Sequence, residues 1–423
     1  MKHRNRVLGL MSLMMLIMYL DRVCISVSGP RMQDELHITP VQWGWVVGIF
    51  GLSYALFEIP SGFLGDRLGP RRVITRIVLW WSAFTTLTGM ATGFAPLLVV
   101  RFLFGMGEAG AYPNSGVVVA RWFPLRERGR AFGETLMSSQ LGGALAPFIV
   151  VPVQVHYGWR ATFYLFGSVG ILWAAFWYWW FRDSPQQMAG VSAKELEETR
   201  DLPARSHDTL PWKSTIRSGN LWALMSLTFC YVYVLAFYAT WLHTFLVKGR
   251  GYGEGQLGIS SLPFVVAASS NFLGGFASRW MVGKVGILWA RRGIGFAGLA
   301  CSAAAALAVA LVHNQALTLP MLSLLIGGIT FQQPSVFAAC LDIGEESAGA
   351  VVGAMNTAGA VGSFLAPVIF GYLVTATGSY NAPFVPMAAL LLTGAFLWLR
   401  FDPQKRLAVA PKEARAPEQG PAR

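Results

Sequence analysis

Charge is scarce in this chain. Asp, Glu, Lys and Arg make up 13% of its 423 residues, and only 21 residues are acidic. Soluble domains carry about 25% charged residues, so a water-solvated globular body of this size is excluded. Cysteine is equally sparse. Cys24, Cys230, Cys301 and Cys340 each fall in an apolar run, with no metal-ligand spacing such as CxxC among them. They read as small buried hydrophobes and say little about redox compartment. The chain has no Gly-x-x-x-x-Gly-Lys-Ser/Thr phosphate loop, no GxSxG nucleophile turn and no metal-ligating cluster. ATP-driven work within the chain and metal or cofactor chemistry are therefore not expected, nor is an enzyme.

What the chain has is apolar length. Hydrophobic residues make up 54%, with 16 Trp and 28 Phe. About 20 apolar residues cross a bilayer as a helix, and only internally bonded backbone can face lipid. Twelve spans are expected near 7–29, 41–64, 73–92, 95–118, 131–154, 161–181, 220–246, 256–278, 293–313, 317–341, 347–374 and 381–401. The class is an all-α membrane protein, and the aromatic content suits interfacial girdles. The start, Met1-Lys2-His3-Arg4 before an apolar run, imitates a signal peptide. The run continues past Asp21-Arg22, however, and reads as an uncleaved first span.

The net charge of +12 raises the question of nucleic acid, and its distribution answers it. Twenty-seven of the 33 Lys and Arg flank alternate spans on one side, against four on the other; Arg22 and Arg101 lie inside spans. This positive-inside pattern places both termini in the cytoplasm and needs no nucleic-acid partner.

The stretch 182–219, rich in Glu, Arg, Ser and Pro, reads as a cytoplasmic linker between six-helix bundles at 1–181 and 220–401. The segment 402–423 reads as a disordered cytoplasmic tail. The bundles echo each other. Gly129, Gly133, Gly142, Ala146 and Pro147 reappear at a constant offset of 220 residues as Gly349, Gly353, Gly362, Ala366 and Pro367. Duplicated halves are typical of secondary transporters, with the substrate site between them near the midplane.

The segment after the second span, Gly62-Phe63-Leu64-Gly65-Asp66-Arg67-Leu68-Gly69-Pro70-Arg71-Arg72, resembles the G-x-x-x-D-R-x-G-R-R signature of the major facilitator superfamily. The resemblance implies a conformational latch built from Gly62, Gly65, Asp66, Arg67, Gly69, Arg71 and Arg72. In the second half, Gly274-Gly275-Phe276-Ala277-Ser278-Arg279 has Arg where the pattern has Asp, so a weaker or absent latch is expected there.

The stretch Arg101-Phe102-Leu103-Phe104-Gly105-Met106-Gly107-Glu108-Ala109-Gly110-Ala111-Tyr112-Pro113-Asn114, with Tyr19-Leu20-Asp21-Arg22 upstream, resembles the anion:cation symporter family. Its members include bacterial galactonate, glucarate, hexuronate and phthalate permeases. The likeness runs from about Met18 to Arg400 and is looser in the second half. It implies a proton-coupled importer of a small organic anion, a sugar acid first and an aromatic carboxylate as the alternative. It implies a monomer in the lipid bilayer of the bacterial inner membrane, with the proton as coupling ion.

Charge inside a span costs about 2.5–3.5 kcal/mol per group on insertion scales and marks function or pairing. Asp21, Arg22, Glu58, Arg101 and Glu108 are such groups. Arg101 and Glu108, seven apart, share one helix face. Asp21 and Arg22, adjacent, point about 100° apart. The resemblance implies that Asp21 pairs with Arg101 until protonated, that Glu108 is a second proton carrier near substrate, and that Arg22 meets the substrate carboxylate. A static ion-pair cluster fixing helix packing is the plainer alternative. Tyr19, three residues before Arg22, and Tyr54 are candidate hydrogen-bond partners of substrate; interfacial packing is the other use of such Tyr. Gln140 and Asn356 match substrate-contacting positions of the family, or else bond a neighbouring helix. Ser335 and Tyr238 are weaker cavity candidates. Glu58 suits a gate or packing role. Asp342 and Glu134 are expected to be solvated at span ends, and His156, His243 and His313 to be solvated or packing residues.

Two other functions compete. One is an exporter or antiporter of organic anions, for example of phosphorylated sugars or drugs; a sugar-phosphate exchanger is expected to carry one cavity Arg in each half, whereas Arg22 and Arg101 both lie in the first. A transporter-like sensor needs a signalling domain, and neither the linker nor the tail resembles one.

Overall fold

The computed structural model describes residues 2–198, 218–344 and 348–405. Gly62, Gly65, Asp66, Gly129 and Gly349, with the greater part of the expected linker and tail, lie outside the described residues.

Helices carry the chain, and no strand occurs among the described residues. The first half holds α1 (His3–Glu35), α2 (Pro40–Leu68), α3 (Pro70–Gly89), α4 (Phe94–Glu108), α5 (Ala111–Trp122), α6 (Leu125–Tyr157) and α7 (Trp159–Trp180). A short α8 (Ala193–Glu197) follows. The second half holds α9 (Gly219–Thr240), α10 (Leu262–Leu311), α11 (Gln315–Gly344), α12 (Ala348–Thr377) and α13 (Phe384–Arg400).

Among the described residues, nine helical stretches are long and apolar enough to cross a membrane. One of them, Gly255–Leu311, is broken at Gly286 (φ 77°) and crosses twice. α3, opened by Pro70-Arg71-Arg72, and the 17-residue α13 complete twelve crossings. α4 and α5 together make the fourth. The expected loop at 279–292 is a correction: apart from the break at Gly286, helix runs through it.

Local chemistry sets the ends. Thr39 caps α2 by accepting from the Gln42 amide at 3.3 Å, while the Gln42 side chain accepts from the Thr39 amide at 3.0 Å. This reciprocal bond satisfies donors that a helix start leaves free. The turns at this end (after α1, α3, α6, α9, α10 and α12) lie opposite the end that carries His3 and Arg400; the two are called the far and terminal ends below.

The repeated residues explain the pairing of helices. α6 lies along α1, and α12 lies along α9 in the same way. A Cβ at Gly142 would fall well inside contact distance of the Leu16 carbonyl oxygen, and one at Gly362 would lie 2.9 Å from that of Phe229. Gly133 and Gly353, by contrast, face open space, so of the two described glycines in each repeat only one brings backbones together. Gly142→Ala is therefore expected to wedge α1 from α6, costing about 1–3 kcal/mol by overpacking, whereas Gly133→Ala leaves the packing unchanged. Thermal unfolding of the two purified variants in one detergent reads the difference; equal midpoints would refute the close-approach role.

The halves meet toward the far end. Gly44 and Gly48 of α2 sit under Pro367 and Phe364 of α12, and Gly371 sits against Pro40. Trp45 meets Phe364 edge-on at 5.9 Å. Gln33 donates to Thr244 at 3.0 Å, and Lys248 pairs with Asp34 at 2.6 Å. The terminal end carries a different knot. Arg4, 3% exposed, pairs with Glu198 at 2.5 Å and Glu127 at 2.9 Å, and Lys2 reaches Glu198 at 3.1 Å. Hydrogen bonds from Arg4 and Lys2 hold the Glu198 carboxyl down at about 2.

Candidate functional site

The intramembrane charges of the first half converge on one buried cluster. α1 supplies Asp21 and Arg22, α2 supplies Phe50 and Tyr54, and α4 supplies Arg101, Phe104 and Glu108. Glu108 ends α4 because Gly110 turns the chain with φ 94°, a conformation costly for other residues. A Cβ there would also overlap the Ser61 side chain. The break leaves Glu108 facing α1 from the middle of the fourth crossing.

The Arg22 Nε donates to Glu108 Oε1 in a close ion pair. The Arg22 guanidinium also lies over three aromatic rings, Tyr19 at 5.2 Å, Phe50 at 5.0 Å and Tyr54 at 4.9 Å. Arg101 lies over Phe50 at 5.2 Å and Phe104 at 4.6 Å. Each ring face stabilises a desolvated cation by about 0.5–2 kcal/mol. The Tyr112 hydroxyl links Tyr19, at 3.2 Å, to Ser139 of α6, at 3.3 Å.

The cluster is buried yet incompletely bonded. Asp21, Arg101 and Glu108 are 2%, 4% and 0% exposed. Both Asp21 oxygens, Arg22 Nη2, Arg101 Nε, Glu108 Oε2 and the Tyr54 hydroxyl have no hydrogen-bond partner among the described residues. An unsatisfied buried polar atom costs about 1–3 kcal/mol, more when charged. So many in one place mark a site that exchanges partners rather than a finished structural ion pair.

In this conformation Glu108 pairs with Arg22, and the Asp21–Arg101 pair expected in one state is not formed. The cause is the 100° between neighbouring residues on α1: Arg22 turns to Glu108, and Asp21 turns toward the Trp81 indole of α3. Tyr19 and Tyr54 join the cluster through their rings, which face Arg22. Gln140 and Asn356 are exposed and stand apart from it. Gln140 lies one turn before Gly143, which faces Phe264 of the other half. Asn356 lies two turns before Ser363, which packs on Gly51 of α2. Both therefore sit on faces turned toward the opposite half.

Ser335 lies elsewhere. Its hydroxyl meets Ser278 at 3.3 Å, which accepts from Arg291 Nη1 at 2.5 Å, and Arg291 pairs with Asp342 at 3.0 Å. This network ties three crossings of the second half together at the terminal end. It replaces one expectation: Asp342 is not a solvated end charge but the partner of Arg291, a carboxylate supplied by α11 in the half whose pattern lacks the Asp. Tyr238 is another correction, since it is buried and its hydroxyl donates to the Leu322 carbonyl at 2.6 Å.

In the segment expected to form the first-half latch, the Arg71 amide donates to Asp183 at 2.7 Å and its guanidinium to the Tyr178 carbonyl at 2.6 Å. Gly69, with φ 82°, lies against the Asp183 carboxylate. Arg67 and Arg72 are exposed. Cys301 is exposed rather than buried, and His243 is fully buried and hydrogen-bonded. Sequence reasoning missed Phe50, Asp183 and Tyr112. Phe50 was within reach, because it stands four before Tyr54 and shares its helix face; no spacing marks Asp183.

The family model for the Major Facilitator Superfamily matches residues 11–367. The chain belongs to that superfamily. This facilitator is 35% identical over 408 residues to a probable sulfoacetate transporter of Cupriavidus necator, covering 95% of this chain and 94% of the relative. It is 28% identical to a hexuronate transporter of Bacillus subtilis, covering 91% of each. These relatives place it in the anion:cation symporter group, as a transporter and not an enzyme. Its fold matches a solved bacterial homologue of the human lysosomal transporter Spinster, with a TM-score of 0.77 at 18% identity, covering 94% of this chain and 96% of that one. Nine described helical stretches long and apolar enough to cross a membrane agree with a multi-pass membrane location.

Proposed function

We propose that this facilitator is a monomeric proton-coupled symporter that imports a small organic anion of the sulfoacetate or sugar-acid kind. It acts by alternating access in a bacterial inner membrane, with both termini cytoplasmic and the bundles 1–181 and 220–401 rocking about the site. The observation that carries the reading is the buried cluster in which Arg22 holds Glu108 while Asp21 stands unpaired beside Arg101. An arriving carboxylate or sulfonate competes with Glu108 for the Arg22 guanidinium, whose planar donors suit an oxyanion. Glu108 released into a dry site is stabilised by taking a proton. Substrate binding and proton uptake are thereby coupled through one cation. Protonation of Asp21 removes the counter-charge near Arg101 and permits the change of access. Proton entry also offsets the charge of an anion moving into a cell that is negative inside. The aromatic faces of Tyr19, Phe50 and Tyr54 bound the space beside Arg22, and Gln140 and Asn356 close on substrate hydroxyls from the opposing faces.

Counterflow into proteoliposomes tests the cargo, with labelled sulfoacetate, galactonate, glucuronate and phthalate offered. Exchange of at least one of these acids is expected, and movement of neutral sugars alone would refute the anion site. Net accumulation of that acid into empty proteoliposomes tests the coupling: it is expected to rise several-fold with an acid outside, and indifference to the gradient would refute the coupling.

A further inference from the structure

The contact between the halves at the far end contains one group that transport chemistry leaves unused. His243 follows α9, is 0% exposed, and has both ring nitrogens bonded. Nδ1 lies 3.0 Å from Ser26 Oγ on α1 of the first half, and Nε2 lies 2.9 Å from Ser260 Oγ just before α10. The roles are fixed by the last member. Ser260 spends its only proton on the Leu257 carbonyl, 2.6 Å away, so it accepts from Nε2–H. Nδ1 is then a lone pair, and Ser26 donates to it. The chain from Ser26 through His243 and Ser260 to Leu257 closes only around a neutral ring.

Among the described residues, the surroundings offer nothing to hold an imidazolium. On α1, Arg22 pairs with Glu108, Arg31 donates to the Gln154 carbonyl, and Asp34 pairs with Lys248. Beyond α9, Arg250 donates to the Val309 carbonyl, and the Tyr238 and Tyr252 hydroxyls donate to the carbonyls of Leu322 and Gln315. Each of these groups is engaged elsewhere, and Glu254 has its side chain outside the described residues. A second ring proton would turn the Nδ1 acceptor into a donor facing a hydroxyl and bury a charge without a counter-ion, the costly case.

We propose that His243 pins the far-end gate shut as a neutral ring, and that a proton taken up by His243 while the gate stands open to the far side keeps it from closing. The inference rests on alternating access, as does the function proposed above. Histidine is suited to the task because its charge changes between about pH 5 and 8. Far-side acid thus has two opposed effects: it drives uptake through the central acids and slows the return of the gate.

The test follows the gate without substrate. Spin labels at Tyr157→Cys and Leu317→Cys, both exposed and on opposite halves at the far end, report the gate distance by pulsed electron resonance. The full chain carries Cys301→Ser, because native Cys301 is exposed, and sits in lipid nanodiscs. The open-to-closed ratio is expected to rise roughly tenfold between pH 8 and pH 5. His243→Gln, which donates and accepts but gains no proton in this range, is expected to stay closed at both pH values. Ser26→Ala, which removes one end of the pin, is expected to open partly at pH 8. A distance distribution indifferent to pH, or a pH shift that survives in His243→Gln, would overturn the proposal. Since no substrate enters the measurement, its failure is distinguishable from failure of the counterflow experiment.

Discussion

Arg22→Ala is expected to weaken substrate binding by about two to three orders of magnitude and to abolish transport. The guanidinium is the only partner of the fully buried Glu108 carboxylate among the described residues, and it is the cation ringed by Tyr19, Phe50 and Tyr54. Truncating one member of a buried charge pair costs about 2–5 kcal/mol, and 1.4 kcal/mol is about tenfold in affinity. Arg22→Lys keeps the charge but not the planar fork, so partial recovery is expected. Calorimetric titration of detergent-purified protein with the acid identified by counterflow gives the affinities. A dissociation constant for Arg22→Ala within threefold of wild type would remove Arg22 from the substrate site.

Asp21→Asn is expected to separate exchange from accumulation. Both Asp21 oxygens lack hydrogen-bond partners and the side chain is 2% exposed, so the near-isosteric amide breaks no existing bond. It fixes the site in the state equivalent to a protonated carboxyl. Counterflow should stay within about threefold of wild type, because exchange needs no net proton movement. Accumulation driven by a pH gradient should fall to the level seen without one. The pair of assays on the same proteoliposome batch decides the matter, and wild-type accumulation by Asp21→Asn would refute its role in coupling.

The crossings were legible in the sequence because lipid imposes a length and a polarity that no tertiary contact overrides. Only the joint at 279–292, helical apart from the break at Gly286, escaped, since Arg291 and Arg292 look like loop residues until Asp342 is seen to neutralise one of them. The members of the charged cluster were legible for the same reason: a bilayer makes each ionisable residue conspicuous. Their pairing was not. Whether Glu108 meets Arg22 or stays free depends on how α4 breaks at Gly110 and on the rotation of α1 against it, and residue spacing within one helix holds neither. Ser335 failed differently. A serine has too little character of its own to announce whether it lines a passage or braces Arg291.

The charged groups of the cluster come from α1 and α4, while the buried Arg291 and half-buried Asp342 of the second half are spent on each other at the terminal end. Under the proposed coupling the first bundle is the engine, and the faces around Asn356 in the second help shape the fit to cargo. A chimera joining this first half to the second half of a relative is then expected to shift toward the relative's choice of acid while keeping this chain's own response to a pH gradient.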